Sequence, residues 1–146
     1  AVGPDGEVSL NIELASQLHL TEEEVERQIQ ITKDVIRRRN EIFREGLPFP
    51  SLKDKVVIVA DDGLASGYTM LSAVDFIKKR NPEKVVVAVP TAPKGTVDLI
   101  LPQVDELVCL NVRNGYIFAV ADAYESWYDL EDNEVLSILK NFRLRR

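Results

Sequence analysis

Residues 56–69 read VVIVADDGLASGYT, from Val56 to Thr69. The first five residues are apolar and β-branched except Ala60, a pattern that predicts a central parallel strand covered on both faces. In a sheet of that kind, ligands gather at the carboxyl ends of the strands. Asp61 and Asp62 stand at that end. Adjacent carboxylates can accept hydrogen bonds from vicinal hydroxyls, such as the 2′ and 3′ groups of a ribose. The chain then runs through Gly63, Leu64, Ala65, Ser66, Gly67 and Tyr68 to Thr69 and into a helix. Glycines at 63 and 67 permit close backbone approach, and the open amides of a helix N-terminus attract phosphate. The hydroxyls of Ser66 and Thr69 add donors. The stretch is therefore expected to cradle a ribose and its 5′-phosphate, with 63–69 on the phosphate.

Three other phosphate-related loops fail on spacing or order. A Walker A loop needs G-x-x-x-x-G-K-[ST], whereas these glycines are four apart and Tyr68 stands where lysine is required. A dinucleotide loop needs G-x-G-x-x-G with a later carboxylate, and here the acidic pair precedes the glycines. A phospho-acceptor receiver domain would need an aspartate ending one later strand and a lysine ending another. The strand at 84–89 ends in Pro90-Thr91 and the strand at 106–112 in Arg113-Asn114.

Outward from the loop, strands alternate with helices. Thr69 to Arg80 reads as a helix with Met70, Ala73, Val74 and Ile77 on one side. Buried strands follow at Lys84 to Val89 and Glu106 to Val112, separated by a short helix around Gly95 to Leu101. Gly115 to Asp132 is aromatic and irregular, and Asn133 to Phe142 closes as a helix. Upstream, 7–11 can form only a short strand. Thr21 and Glu24 then make a capping box, with Leu20 and Val25 as its hydrophobic staple. A helix from about 21 to 45 would be roughly 37 Å long. Its apolar face (Val25, Ile29, Ile36 and Phe43) must bury against the sheet or a partner chain, and Gly46 with Pro48 stops it. The alternation specifies an α/β fold with a parallel sheet.

Size and composition bound the rest. The chain of 146 residues is 45% hydrophobic and 29% charged, which suits one hydrophobic core. Its net charge of −6 argues against a protein that coats nucleic acid. The basic runs Arg37-Arg38-Arg39 and Arg143-Leu144-Arg145-Arg146 read as solvated helix faces. Cys109 is the only cysteine, so there is no disulfide framework and no cysteine-based zinc site, and it reads as a small buried residue. No apolar run approaches the ~20 residues of a membrane span, and no signal peptide is visible, so a cytoplasmic setting is expected. His19 reads as a surface or capping residue. Lys94 could reach a phosphate but fits a solvated helix start better. Trp127 and Tyr128, with Phe118 and Tyr124, could stack on a base, although such a cluster is more often local core.

The loop closely resembles the 5-phosphoribosyl-1-pyrophosphate (PRPP) motif of type I phosphoribosyltransferases. Asp61 and Asp62 match the acidic pair, Ala65 and Ser66 the small residues, and Gly67 and Thr69 the loop end. Ala60 and Gly63 depart from the commoner residues at their positions. The likeness extends to AVGPDGEVSLN, the TEEEVE helix, VVVAVPTAP, VDELVCLNV and the segment from Phe118 to Tyr124, which resemble the subgroup whose substrate is unassigned. It implies a Rossmann-like parallel sheet of the type I core, incomplete and preceded by a long N-terminal helix. An arm (1–50) would precede the PRPP-binding α/β core (51–146).

The resemblance further implies transfer of a phosphoribosyl group from PRPP to a nitrogenous base. Asp61 and Asp62 would be the catalytic residues, with Phe118 and Tyr124 as base contacts. Mg²⁺ would be the cofactor, held by no direct protein ligand but steered by the two aspartates through water. The expected partner is PRPP or a nucleoside monophosphate, with no membrane or nucleic acid. The pyrophosphate half of such a site normally precedes the motif, and no glycine- and arginine-containing loop stands there. Together with the Ala-Val-Gly-Pro start, this raises the expectation of a C-terminal portion, inactive as this chain alone. Homo-oligomerisation or association with a missing N-terminal half would follow. The alternative is a non-catalytic PRPP- or nucleotide-sensing regulatory module.

Overall fold

The computed structural model describes residues 1–115 and 119–143. Helices α1 (Ile12–Gln17) and α2 (Glu22–Arg44) precede strand β1 (Val56–Ala60). Helix α3 (Tyr68–Lys78), strand β2 (Lys84–Pro93), helix α4 (Lys94–Ile100), strand β3 (Glu106–Arg113) and helix α5 (Asp132–Arg143) follow. The strands form one parallel sheet in the order β1-β2-β3. The α/β class, the parallel sheet and the long N-terminal helix are as expected.

Strand order decides where the core lies. The order advances in one direction, so two right-handed crossovers lay α3 and α4 on the same face. Val85, Val87 and Val89 of β2 point into that face and meet Met70, Val74 and Ile77 of α3 and Ile100 of α4. Full burial of each such aliphatic side chain contributes about 1.5–3 kcal/mol. The central strand is therefore β2, and β1 is an edge strand, which corrects the central position expected for it. Nor is β1 covered on both faces: Val56 is 54% and Ile58 67% exposed. Val108 and Leu110 of β3 are exposed as well, the latter at 83%. The apolar sequence of β1 is suited to a two-sided environment, but α3 and α4 supply only one side.

Helix α2 begins as its sequence requires. The Thr21 hydroxyl accepts from the Glu24 N–H (3.2 Å), and the Glu24 carboxylate accepts from the Thr21 N–H (2.9 Å). Glu45 closes the helix in the left-handed conformation, followed by Gly46 at φ 77°. The expected burial of its apolar face against the sheet is not found, since no residue of α2 is buried. It lies instead beside α5, where Arg38 and Arg39 approach Asp132 at 4.0 and 3.8 Å. The short strand expected at 7–11 is reduced to one antiparallel bridge, Val2 to Val8, and α1 forms where no helix was expected. Lys79 ties this arm to α3 through Glu7 and Asp5. Among the described residues no helix is long and apolar enough to cross a membrane.

One buried polar atom is out of place. Thr91, near the end of β2, is fully buried, and its hydroxyl has no hydrogen-bond partner among the described residues. An unsatisfied buried hydroxyl costs about 1–3 kcal/mol, whereas an apolar group of similar shape avoids that penalty. Thr91→Val is expected to raise stability by roughly 1 kcal/mol. Urea unfolding checks this, and a loss of stability would show that the hydroxyl has a partner in solution.

Candidate functional site

Residues 61–69 leave the end of β1 and are held down at a few points. The Leu64 N–H donates to the Thr91 carbonyl (3.0 Å), and the Leu64 side chain is buried in the core. Thr96 of α4 donates its hydroxyl to the Ala65 carbonyl (2.6 Å). With the middle anchored, Ala65, Ser66 and Thr69 remain exposed around the opening of α3. Of the residues expected on a phosphate, Leu64 thus has its amide already engaged. Ser66, Gly67, Tyr68 and Thr69 surround the helix start.

Two glycines are required by geometry. Gly67 is the N-cap of α3 in the left-handed conformation (φ 82°), and a Cβ there would lie 2.8 Å from the Thr96 methyl. Among the described residues no side chain caps this helix. The amides of its first turn are therefore available to an external acceptor, and the helix dipole favours an anion. Gly63 sits under a different constraint, since a Cβ there would lie 2.7 Å from Val120 and 3.0 Å from the Thr91 methyl.

The acidic pair lies beside this opening. Asp62 donates its N–H to the Asp61 carboxylate (3.0 Å). Desolvation by the surrounding protein is the largest influence on Asp61 and raises its pKa. The Asp62 N–H pulls it down, and repulsion from the Asp62 carboxylate pushes it up again. Tyr124, just after a 3₁₀ turn at Val120–Ala123, donates its hydroxyl to the Asp62 carbonyl (2.7 Å). Its ring meets Trp127 edge-on at 5.1 Å between centroids. A pocket of about 360 Å³ opens between Asp62 and residues 124–130, with Tyr128 and Asp129 in its wall.

The local-core reading of this aromatic segment does not hold, because Tyr124, Trp127 and Tyr128 are all exposed. Phe118, the other expected base contact, lies outside the described residues. Lys94 pairs with Asp98 on its own helix, as a solvated helix start would. His19 is exposed in a left-handed turn after α1, and Cys109 is only partly buried. Thr96, Val120 and Asp129 were not legible as parts of this region. Thr96 and Val120 act on residues 31 and 57 positions earlier, and only the folded chain creates such contacts.

Similarity to known proteins agrees with this geometry. Residues 6–125 match the family described as the phosphoribosyl transferase domain. Over 142 residues the chain is 33% identical to provisionally named phosphoribosyl transferases from Mycobacterium tuberculosis strains CDC 1551 / Oshkosh and H37Rv. Those alignments cover 95% of this chain but 31% of each relative, so the chain spans about a third of their length. The fold is similar to the crystal structure of TT1426 from Thermus thermophilus. The TM-score is 0.73 at 30% identity, over 96% of this chain and 65% of that one.

Two substitutions test the loop. Gly67→Ala is expected to cost about 1–3 kcal/mol, from the left-handed backbone and the contact with Thr96. Chemical denaturation measures it, and a neutral result would show that the N-cap is not held left-handed. Because the folded chain favours protonated Asp61, this residue weakens the fold as pH rises from the ordinary value of 3.8 through the raised one. Asp61→Asn is therefore expected to stabilise the chain at neutral pH and to lose that advantage below about pH 3.8. An equal gain at both ends of a pH series of unfolding curves would contradict the desolvation.

Proposed function

This chain belongs to the phosphoribosyl transferase domain family, and from that premise we propose that residues 61–69 bind the ribose 5-phosphate of PRPP or of a nucleoside monophosphate. The observation that carries the proposal is the uncapped start of α3 beside two adjacent carboxylates. The first-turn amides, with the hydroxyls of Ser66 and Thr69, receive the 5′-phosphate. Asp61 and Asp62 accept from the ribose hydroxyls. Gly63 and Leu64 keep the backbone low so that the ligand can lie across it.

The reaction proposed is transfer of the phosphoribosyl group to a nitrogenous base. As the bond from C1′ to pyrophosphate lengthens, positive charge develops on the ribose. The paired carboxylates favour that charge electrostatically and hold the sugar in line. The base nitrogen then bonds to C1′ and gives up its N–H proton to solvent, and pyrophosphate departs with the electrons of the broken C1′–O bond. The pocket between Asp62 and the aromatic segment supports Tyr124 as a base contact.

Among the described residues no cluster of three or more His, Cys, Asp or Glu side chains assembles to hold a metal. Two exposed, adjacent carboxylates fit a Mg²⁺ ion that keeps most of its water and takes oxygens from substrate. When bound, it would neutralise charge on the pyrophosphate, and Asp61 and Asp62 would steer it through water. Among the described residues no strand pairs with the outer edge of β1, a surface for pairing that supports association with a further chain or segment.

A second reading is a non-catalytic module that senses PRPP or a nucleotide. It is favoured by the pocket beside Asp62, which contains Asp129 and no basic side chain among its described lining residues. PRPP-dependent turnover by this chain separates the two. For binding itself, Asp62→Asn removes a charged acceptor, and hydrogen bonds to charged groups contribute about 1.5–3 kcal/mol. Affinity for PRPP is expected to fall roughly ten- to a hundredfold with the unliganded melting temperature nearly unchanged. Titration calorimetry and a thermal-shift series measure both, and unaltered affinity would refute the assignment of Asp62.

A further inference from the structure

A second cavity, of about 730 Å³, lies at the far end of α3 between that helix, α2 and the first six residues. The 11 residues of α3 separate it from the loop by about 16 Å along the helix axis. Lys33, Arg37 and Arg44 of α2 line it, with Arg80 just beyond α3. Four cations around one cavity are unexpected in a chain of net charge −6. Asp5 is the only carboxylate in the described lining, and it faces Lys79 at 3.4 Å.

The Arg44 and Arg80 guanidinium groups are held by neutral partners. Arg80 donates to the Phe76 carbonyl (2.6 Å) and lies 3.4 Å from the centre of the Phe76 ring. Arg44 donates to the carbonyls of Leu47 (3.2 Å) and Pro48. Both guanidinium groups also approach Phe49, at 5.1 Å for Arg44 and 5.6 Å for Arg80. Among the described residues no ion pair joins Lys33, Arg44 or Arg80 to a carboxylate. Arg37 pairs with Asp34 on its own helix. Lys33, Arg44 and Arg80 thus bring like charges together with no ion-pair partner among the described residues, and an anion between them relieves their repulsion. Fixed guanidinium forks suit phosphate oxygens in particular. The volume lies in the range of small-molecule sites, far larger than one phosphate needs. The exposed Phe49 ring supplies a flat apolar surface beside the cations.

We propose that this cavity binds a phosphorylated small molecule of nucleotide size, at a site separate from the loop after β1. The site stands independently of the function proposed for that loop. The test uses the full chain carrying Asp62→Asn, so that the loop contributes little, and titrates it with ADP and with inorganic pyrophosphate. Saturable binding of ADP is expected, weakening steeply with salt. Lys33→Glu should lower the affinity at least tenfold, since Lys33 has no ion-pair partner among the described residues to lose. Arg37→Glu, at an exposed helix position, should act in the same direction and serves if the first variant folds poorly. Pyrophosphate binding that equals ADP binding would overturn the nucleotide-sized ligand. Absence of saturable binding, or binding indifferent to both reversals, would overturn the site.

Discussion

The structure depends on a constraint of chain topology: three parallel strands laid down in sequence order by right-handed crossovers. Such a progression places each connecting helix on the same side of the sheet. The whole core follows from it. Val85, Val87 and Val89 of the middle strand are enclosed between α3 and α4, while Ile58 and Leu110 look away from them into solvent. Helices on both faces would require the strand order to reverse, and the order β1-β2-β3 contains no reversal. The edge position of β1 has the same cause. Its loop therefore leaves from the border of the sheet, where the acidic pair and the start of α3 are open to a ligand.

Within the loop, tethering and openness are divided between neighbouring residues. Leu64 commits its amide to β2 and its side chain to the core, and Thr96 secures the Ala65 carbonyl. Just after them, α3 starts without a side-chain cap among the described residues. Tyr124 holds the other flank by its bond to the Asp62 carbonyl. Contacts from β2, α4 and the aromatic segment thus position residues 61–69. The same helix carries the two features that could meet anions at its opposite ends: the uncapped amides at Gly67 and the Arg80 guanidinium past Lys78.

Much of this was legible in the residues alone. The alternation of apolar runs and helical periods marked α3, α4, β3 and α5 near their observed limits, whereas β2 runs past its expected end at Val89 to Pro93, because Thr91 to Pro93 still pair with β3. Thr21 with Glu24 announced the start of α2, because a capping box is a local interaction over four residues. The PRPP-like order of acids, glycines and hydroxyls pointed to the family, and the matched domain bears that out. Burial was read less well. Continuous β-branched residues indicate what a strand tolerates on its two faces, but they do not say how many faces its neighbours cover. The aromatic segment illustrates the same limit: residues expected as local core instead stand around an open pocket beside Asp62.

The sequence by itself determined the elements from α2 onward and the kinship that the order of residues 61–69 expresses. These depend on contacts a few positions apart, or on residue types that any fold would have to use. Tertiary structure alone decided that β1 is an edge, that α2 buries no residue, and that the loop is held by Thr91, Thr96 and Tyr124. It also brought Lys33, Arg44 and Arg80 around one cavity. Such arrangements join residues tens of positions apart, and spacing along a chain carries no record of them until the helices have packed.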